Sequence, residues 1–157
     1  LHCANVVRHE GELWPFDALE FDPALRWIDV ACDVAFLWMD LEARGRADLA
    51  AAFLDGWLQP GGDFDALEAL RFFGVYRACV RAKVAALGGD PAAGAATGSA
   101  TARYLSAARR LAARHAPRLV VTTGLAASGK SRLAQSLLGP LAAVRLRSDV
   151  ERKRLAG

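Results

Sequence analysis

Gly124-Leu125-Ala126-Ala127-Ser128-Gly129-Lys130-Ser131 is the stretch on which the reading of the fold turns. It fits the spacing G-x-x-x-x-G-K-S/T at every fixed position. The two glycines let the backbone curl tightly, and the curl aims successive N–H groups inward as an anion nest at a helix N-terminus. Lys130 is then placed to reach the β- and γ-phosphates of a nucleotide, and the Ser131 hydroxyl to coordinate Mg²⁺. The expected phosphate-binding set is Gly124, Leu125, Ala126, Ala127, Ser128, Gly129, Lys130, Ser131 and Arg132, with ATP and Mg²⁺ as cofactors.

The flanking sequence agrees. Arg118 to Thr123, with Leu119-Val120-Val121, reads as a short strand, and Lys130 to Leu138 as a helix with Leu133, Ala134, Leu137 and Leu138 on one side. Gly139-Pro140 breaks the helix, and Ala142 to Arg147 reads as a second strand. Such a βαβ unit belongs to a parallel sheet. The second strand leads to Ser148-Asp149. A carboxylate at the carboxyl end of a parallel strand sits beside the phosphate crevice. Asp149 is therefore placed to orient an acceptor hydroxyl or to help hold Mg²⁺, and capping of the following helix is the plainer alternative. Lys130 and Asp149 are the candidate catalytic residues, and Arg147 and Arg152 are candidate anion binders or solvated charges.

From Arg118 to Gly157 the chain resembles the P-loop small-molecule kinases, the group that includes gluconate-, shikimate- and chloramphenicol-kinase-like enzymes and zeta-toxin-like proteins. That resemblance implies ATP-dependent phosphoryl transfer, with a Walker B strand and a lid expected beyond Gly157. A second resemblance lies at the other end. Leu1-His2-Cys3-Ala4-Asn5 looks like the end of the His-Gly-Asp-Leu-His-x-x-Asn catalytic loop of aminoglycoside phosphotransferases. It implies a metal-binding Asn5 and places the catalytic Asp of the D-x-x-x-x-N spacing immediately before Leu1. Phe16-Asp17 stands where that family has its second metal-binding carboxylate, and Glu20 to Ala35 is similar to the segment that follows it. Asn5 and Asp17 are hard oxygen ligands suited to Mg²⁺. The order of the two resemblances is that of bacterial fusions of a phosphotransferase-like domain with a P-loop ATP-binding domain.

Hydrophobic periodicity fills in the remainder. Val6 to Phe16 reads as a hairpin around His9-Glu10-Gly11-Glu12. Helices are expected over Leu25 to Arg44, with Asp22 as N-cap and Pro23 in the first turn, and over Asp48 to Leu58 before Pro60-Gly61-Gly62. A long helix capped by Asp63 or Asp65 is expected to run to about Leu87 with an apolar stripe of Phe73, Tyr76, Val80, Val84 and Leu87. Gly88 to Thr101 reads as a linker. Ala102 to His115 reads as a connecting helix with Tyr104, Leu105, Ala108, Leu111 and Ala112 on one side and Arg103, Arg109, Arg110 and Arg114 as a basic face, either solvated or contacting phosphate or RNA. Asp29 and Asp33 are expected to bond loop backbone and His2 to act as a hydrogen-bonded scaffold. Trp14, Trp27, Trp38 and Trp57 are expected in the core.

The fold class is therefore mixed: a mainly α-helical C-terminal subdomain of a kinase-like fold over residues 1–87, a linker and connecting helix over 88–117, and the first βαβ of an α/β P-loop NTPase over 118–157. Hydrophobic residues make up 54% of the chain, which excludes a disordered tail. The net charge of +3 does not point to nucleic acid. No apolar run reaches the ~18 residues of a membrane span. Three widely spaced cysteines (Cys3, Cys32, Cys79) suit reduced thiols in the cytoplasm. The expected partners are ATP and a small-molecule acceptor, with a nucleotide-binding regulatory module as the alternative. Because the only Met is Met39, the chain is read as a piece of a longer protein, and because the resemblances place a catalytic Asp, a nucleotide-binding lobe, later strands and a lid outside it, it is expected to be inactive alone.

Overall fold

The computed structural model describes residues 1–17, 22–88, 97–113 and 116–156. It is mostly helical. A 3-10 turn (Cys3–Asn5) leads into a hairpin of β1 (Val6–His9) and β2 (Glu12–Pro15), then a 3-10 turn at Pro23–Arg26. Among the described residues six helices follow: α1 (Val30–Ala43), α2 (Ala47–Gly61), α3 (Ala66–Ala86), α4 (Thr97–Ala112), α5 (Lys130–Leu141) and α6 (Ser148–Ala156). The chain divides into two compact units, Leu1–Arg46 with Asp65–Ala113, and Ala47–Phe64 with Arg114–Gly157. This grouping departs from the contiguous division expected from the sequence, because α2 belongs with the phosphate-loop segment.

In the first unit the hairpin pairs Val6 with Pro15, Val7 with Trp14, Arg8 with Leu13 and His9 with Glu12. Glu10 and Gly11 turn it with φ of +50° and +88°, the left-handed pair that matches strand twist. The helix expected from Leu25 is split in two. Asp22 caps the 3-10 turn by accepting from the Ala24 N–H (2.9 Å), and Asp29 caps α1 by accepting from the Ala31 N–H (2.8 Å). Two caps seven residues apart start two helices.

The core joins Met39 and Ala43 of α1, Ala78 and Ala82 of α3, and Tyr104, Ala107 and Ala108 of α4, with Phe36, Val75 and Leu111 packed against them. The expected α3 stripe is corrected. Tyr76 and Leu87 are exposed, and the buried residues are Leu70, Gly74, Ala78, Arg81, Ala82 and Ala85. Small side chains let the helix axes approach, so the large apolar residues are displaced to the flanks. On α4, Leu105 is likewise exposed while Ala100 and Ala107 are buried. The helix starts at Thr97, inside the expected linker. Residues 89–96 of that linker, and Arg114 and His115, lie outside the described residues. Trp14 and Trp27 are exposed, against the expectation of a core position, whereas Trp38 and Trp57 are half-buried.

One carboxylate organises this unit. Asp40, in the middle of α1, is 1% exposed. Its Oδ1 accepts from the Tyr104 hydroxyl (2.8 Å), and its Oδ2 from the Cys3 backbone N–H (3.0 Å) and Arg44 Nε (3.3 Å). Burial opposes ionisation, but the Tyr104 and Cys3 hydrogen bonds and the Arg44 charge outweigh it and hold the carboxyl below its ordinary value. Burial, then Asp40 itself, pushes the Cys3 thiol up to about 11, so it stays protonated. Arg71 closes α4 by donating to the Leu111 carbonyl (2.6 and 3.1 Å) and the Ala113 carbonyl.

In the second unit α2 packs on α5, burying Ala50, Ala51, Leu54 and Leu58 of α2 and Leu138 of α5. At their contact a Cβ on Gly139 would stand 3.1 Å from Asp48 Cα. α2 continues through Pro60 to Gly61, and Gly62 then turns the chain with φ +71°. The expected βαβ is corrected to a loop and helix without a sheet. Residues 118–123 and 142–147 form no ladder, and Leu119, Val120 and Val121 are exposed. A parallel strand exists only against a neighbour offering matched backbone groups, and the described residues of this unit form only helices beside them.

Two outcomes follow from this packing. In Gly74→Ala the new Cβ would lie 2.8 Å from Trp38 Cζ3 and 3.2 Å from Leu111 Cδ1. The helix-propensity gain of about 1 kcal/mol is then exceeded by an overpacking cost of about 1–3 kcal/mol. Urea denaturation should show a net loss of up to about 2 kcal/mol. The second concerns Asp40. Its folded pKa lies below the ordinary 3.8, so its contribution is present above that value and is lost as pH falls through the folded value. Asp40→Asn should lower stability near pH 7 by about 1–3 kcal/mol and flatten the acid limb below about pH 4 in urea titrations.

Candidate functional site: a phosphate-binding loop

The loop from Gly124 to Gly129 is built on left-handed backbone. Gly124 has φ +145°, Ala127 +60° and Gly129 +86°. At Gly124 a Cβ would also meet Ser128 Oγ at 3.1 Å. Ser128 closes an internal turn by donating its N–H to the Leu125 carbonyl (3.3 Å). Ala127 holds its αL conformation without glycine's freedom, at a cost of about 1 kcal/mol. Gly129 then stands as N-cap of α5 with no side-chain cap on the helix, so the first-turn N–H groups are left for an anion.

Lys130 folds back over this loop. Its Nζ donates to the carbonyls of Gly124 (2.8 Å) and Leu125 (2.5 Å). An ammonium has three donors, so two bonds fix it at the loop and one remains for a phosphate oxygen. Ser131 and Arg132 are exposed in the first turn of α5. Asp149 lies in the first turn of α6 and accepts from Arg147 Nη2 at 3.0 Å. Slight desolvation acts the other way, but the Arg147 charge and hydrogen bond and nearby backbone N–H groups hold the Asp149 carboxyl below its ordinary range. Arg147 is thereby committed to Asp149, and Arg152 is exposed on α6.

In the other unit the structure brings Asn5 and Asp17 together. Asn5 Nδ2 donates to Asp17 Oδ2 at 3.0 Å, and the Phe16 N–H bonds the Asn5 carbonyl at 2.9 Å. Asp17 carries φ +64°, a conformation uncommon outside glycine and found at functional turns. A carboxylate and an amide oxygen are hard donors of the kind Mg²⁺ takes, but here Asn5 turns its Nδ2, not its oxygen, toward Asp17. Among the described residues no group of three or more His, Cys, Asp or Glu could hold a metal.

The supports of this site were only partly foreseen. His2 is half-buried, its Nδ1 accepting from the Ala4 N–H (3.2 Å) and its ring against Phe36. Asp29 bonds backbone, as a helix cap. Asp33 bonds the Leu1 nitrogen at 2.9 Å. Asp40, which anchors Cys3, was missed. Its signal was an acidic residue embedded in the apolar run Phe36-Leu37-Trp38-Met39 of α1. On α4, Arg110 is exposed but bonds Ser106 Oγ (2.9 Å) and the Glu42 carbonyl (3.2 Å), Arg103 is half-buried over the Tyr104 ring, and Arg109 is exposed. Among the described residues no helix is long and apolar enough to cross a membrane.

Comparison with known proteins gives a partial match. Uncharacterized proteins of Mycobacterium bovis and of two strains of Mycobacterium tuberculosis are each 37% identical over 152 residues, covering 96% of this chain. The chain spans 30% of the length of these curated relatives. No solved structure matches the chain. Residues 119–157, which carry the loop and Lys130, match the AAA domain family, a P-loop nucleotide-binding type.

Proposed function

We propose that the protein transfers a phosphoryl group from Mg-ATP to a small-molecule acceptor. The observation that carries this reading is the Lys130 ammonium held at 2.8 and 2.5 Å from the Gly124 and Leu125 carbonyls, at the head of an uncapped helix. Phosphoryl transfer needs little covalent chemistry from the protein and depends on positioning and charge stabilisation. The loop N–H groups cradle the phosphates, and Lys130 offsets charge that develops at the transferred group. The Ser131 hydroxyl would hold Mg²⁺, which would supply neutralisation of phosphate charge. Asp149, ionised beside Arg147, orients an acceptor hydroxyl. The Asn5–Asp17 pair is read as a second Mg²⁺ site, of the aminoglycoside-phosphotransferase type. Free cysteines accord with a cytoplasmic location.

One observation favours a second reading. Arg147 engages the carboxylate that would face the acceptor, which suits a module where nucleotide binding switches contacts without transfer. Labelling of an acceptor from radioactive ATP separates the two.

Titration calorimetry with Mg-ATP tests the shared core. A charge-assisted phosphate contact is worth roughly 1.5–3 kcal/mol. Lys130→Ala should therefore weaken binding by about tenfold to a hundredfold. Gly124→Ala, forced to φ +145° against Ser128, should also weaken it while leaving the urea midpoint of the first unit unchanged. Wild-type affinity in both variants would remove the phosphate-loop assignment.

A further inference from the structure

Helix α2 grips the segment that carries Asp149 at both of its ends. At one end Asp55 Oδ2 accepts from Arg145 Nη2 at 2.9 Å, with side-chain exposures of 7% and 15%. Gln59 Nε2 donates to Asp55 Oδ1 (3.2 Å) and to the Arg145 carbonyl (2.7 Å), so the side chain and the main chain of Arg145 are both held. At the other end the Gln59 carbonyl accepts from Arg154 Nη2 of α6 (2.8 Å), and Arg154 also pairs with Glu151. Between these grips stand the Arg147–Asp149 ion pair and the first turn of α6, where the N–H groups of Val150 and Glu151 bond the Arg147 carbonyl at 3.0 and 2.9 Å.

We propose that Asp55 and Gln59 are positioning residues, and that α2 is a splint fixing the Asp149 segment of the phosphoryl-transfer site. Among the described residues no ladder holds residues 143–147; the Ala143 N–H bonds the Leu138 carbonyl at one end (3.0 Å) and the Arg147 carbonyl meets the first turn of α6 at the other, and between them the segment is held by side chains of α2. The dependence is strong because the pair is buried. Arg145 Nε is enclosed without a partner among the described residues, and removing Asp55 would leave the guanidinium uncompensated. Catalytic placement is sensitive at this scale, since a shift of about 1 Å costs up to about a hundredfold in rate.

The role given to Asp149 rests on the phosphotransferase reading; the splint itself is measurable without nucleotide. Hydrogen exchange followed by mass spectrometry on the full chain should show peptides across 143–156 exchanging at least tenfold faster in Asp55→Asn and Gln59→Leu than in wild type. Peptides of α5 should change less than twofold. The charge-reversed double variant Asp55→Arg/Arg145→Asp should restore most of the protection. Equal acceleration in α5 and in 143–156 would show a general loss of stability and overturn the proposal, as would unchanged exchange in 143–156 or no recovery in the double variant. Mg-ADP titration of the same proteins separates the two readings. Asp55→Asn should retain wild-type affinity while Lys130→Ala loses it. An Lys130→Ala variant that binds Mg-ADP normally would remove the phosphate-loop reading, and the exchange result would still decide the splint.

Discussion

The first unit hangs on a carboxylate that is kept ionised away from water. Isolated, such a group would take up a proton or draw in solvent. Asp40 avoids both because three donors converge on it from separate places in the chain: the Cys3 backbone, the Arg44 side chain one turn on, and the Tyr104 hydroxyl of α4. The same contacts that satisfy the charge tie the Leu1–Asn5 segment to α1 and α4. Asn5 sits two residues beyond the anchored Cys3, so the placement of the candidate metal pair inherits its precision from a helix-centre aspartate that touches no ligand. The alanine and glycine faces of α1, α3 and α4 complement this: they bring the helices near enough for Tyr104 to reach across.

What could be read from the sequence was what is local. The phosphate loop is a matter of eight consecutive residues, and its two positive-φ glycines and its lysine fall where the spacing puts them, while the left-handed Ala127 is not marked by the spacing. The hairpin, with Glu10-Gly11 at its turn, and the cap at Asp22 are also near-neighbour effects, whereas the second cap at Asp29, which starts α1 afresh, was not read. Non-local features were missed. Tyr104 lies 64 residues from Asp40, and no period along α1 distinguishes a buried carboxylate from a solvated one. The α3 stripe was misjudged because large apolar residues mark it in sequence while Gly74 and Ala78 mark it in space. Residues 118–123 carry strand composition, but a strand is defined by its neighbours and not by its own side chains.

The loop also shows how a binding site is prepared without its ligand. Lys130 is a long, flexible cation, and holding it in one geometry costs side-chain entropy. The Gly124 and Leu125 carbonyls absorb that cost in the free protein. A phosphate arriving at the loop meets an ammonium already in place, together with uncapped helix N–H groups. Preorganisation of this kind raises affinity by lowering what must be ordered on binding.

The discontinuity of the second unit has a consequence for biosynthesis. Asp55 and its partner Arg145 are 90 residues apart, and Gln59 and Arg154 are 95 apart. At ribosomal rates of about 5–20 residues per second, α2 emerges roughly 5–18 s before the partner that completes its ion pair. Through that interval the Leu54 and Leu58 side of α2 has no α5 to cover it, while the helices on either side of it in sequence already have each other to pack against. The nascent chain must therefore carry an open apolar helix between folded neighbours until α5 has been made to cover it.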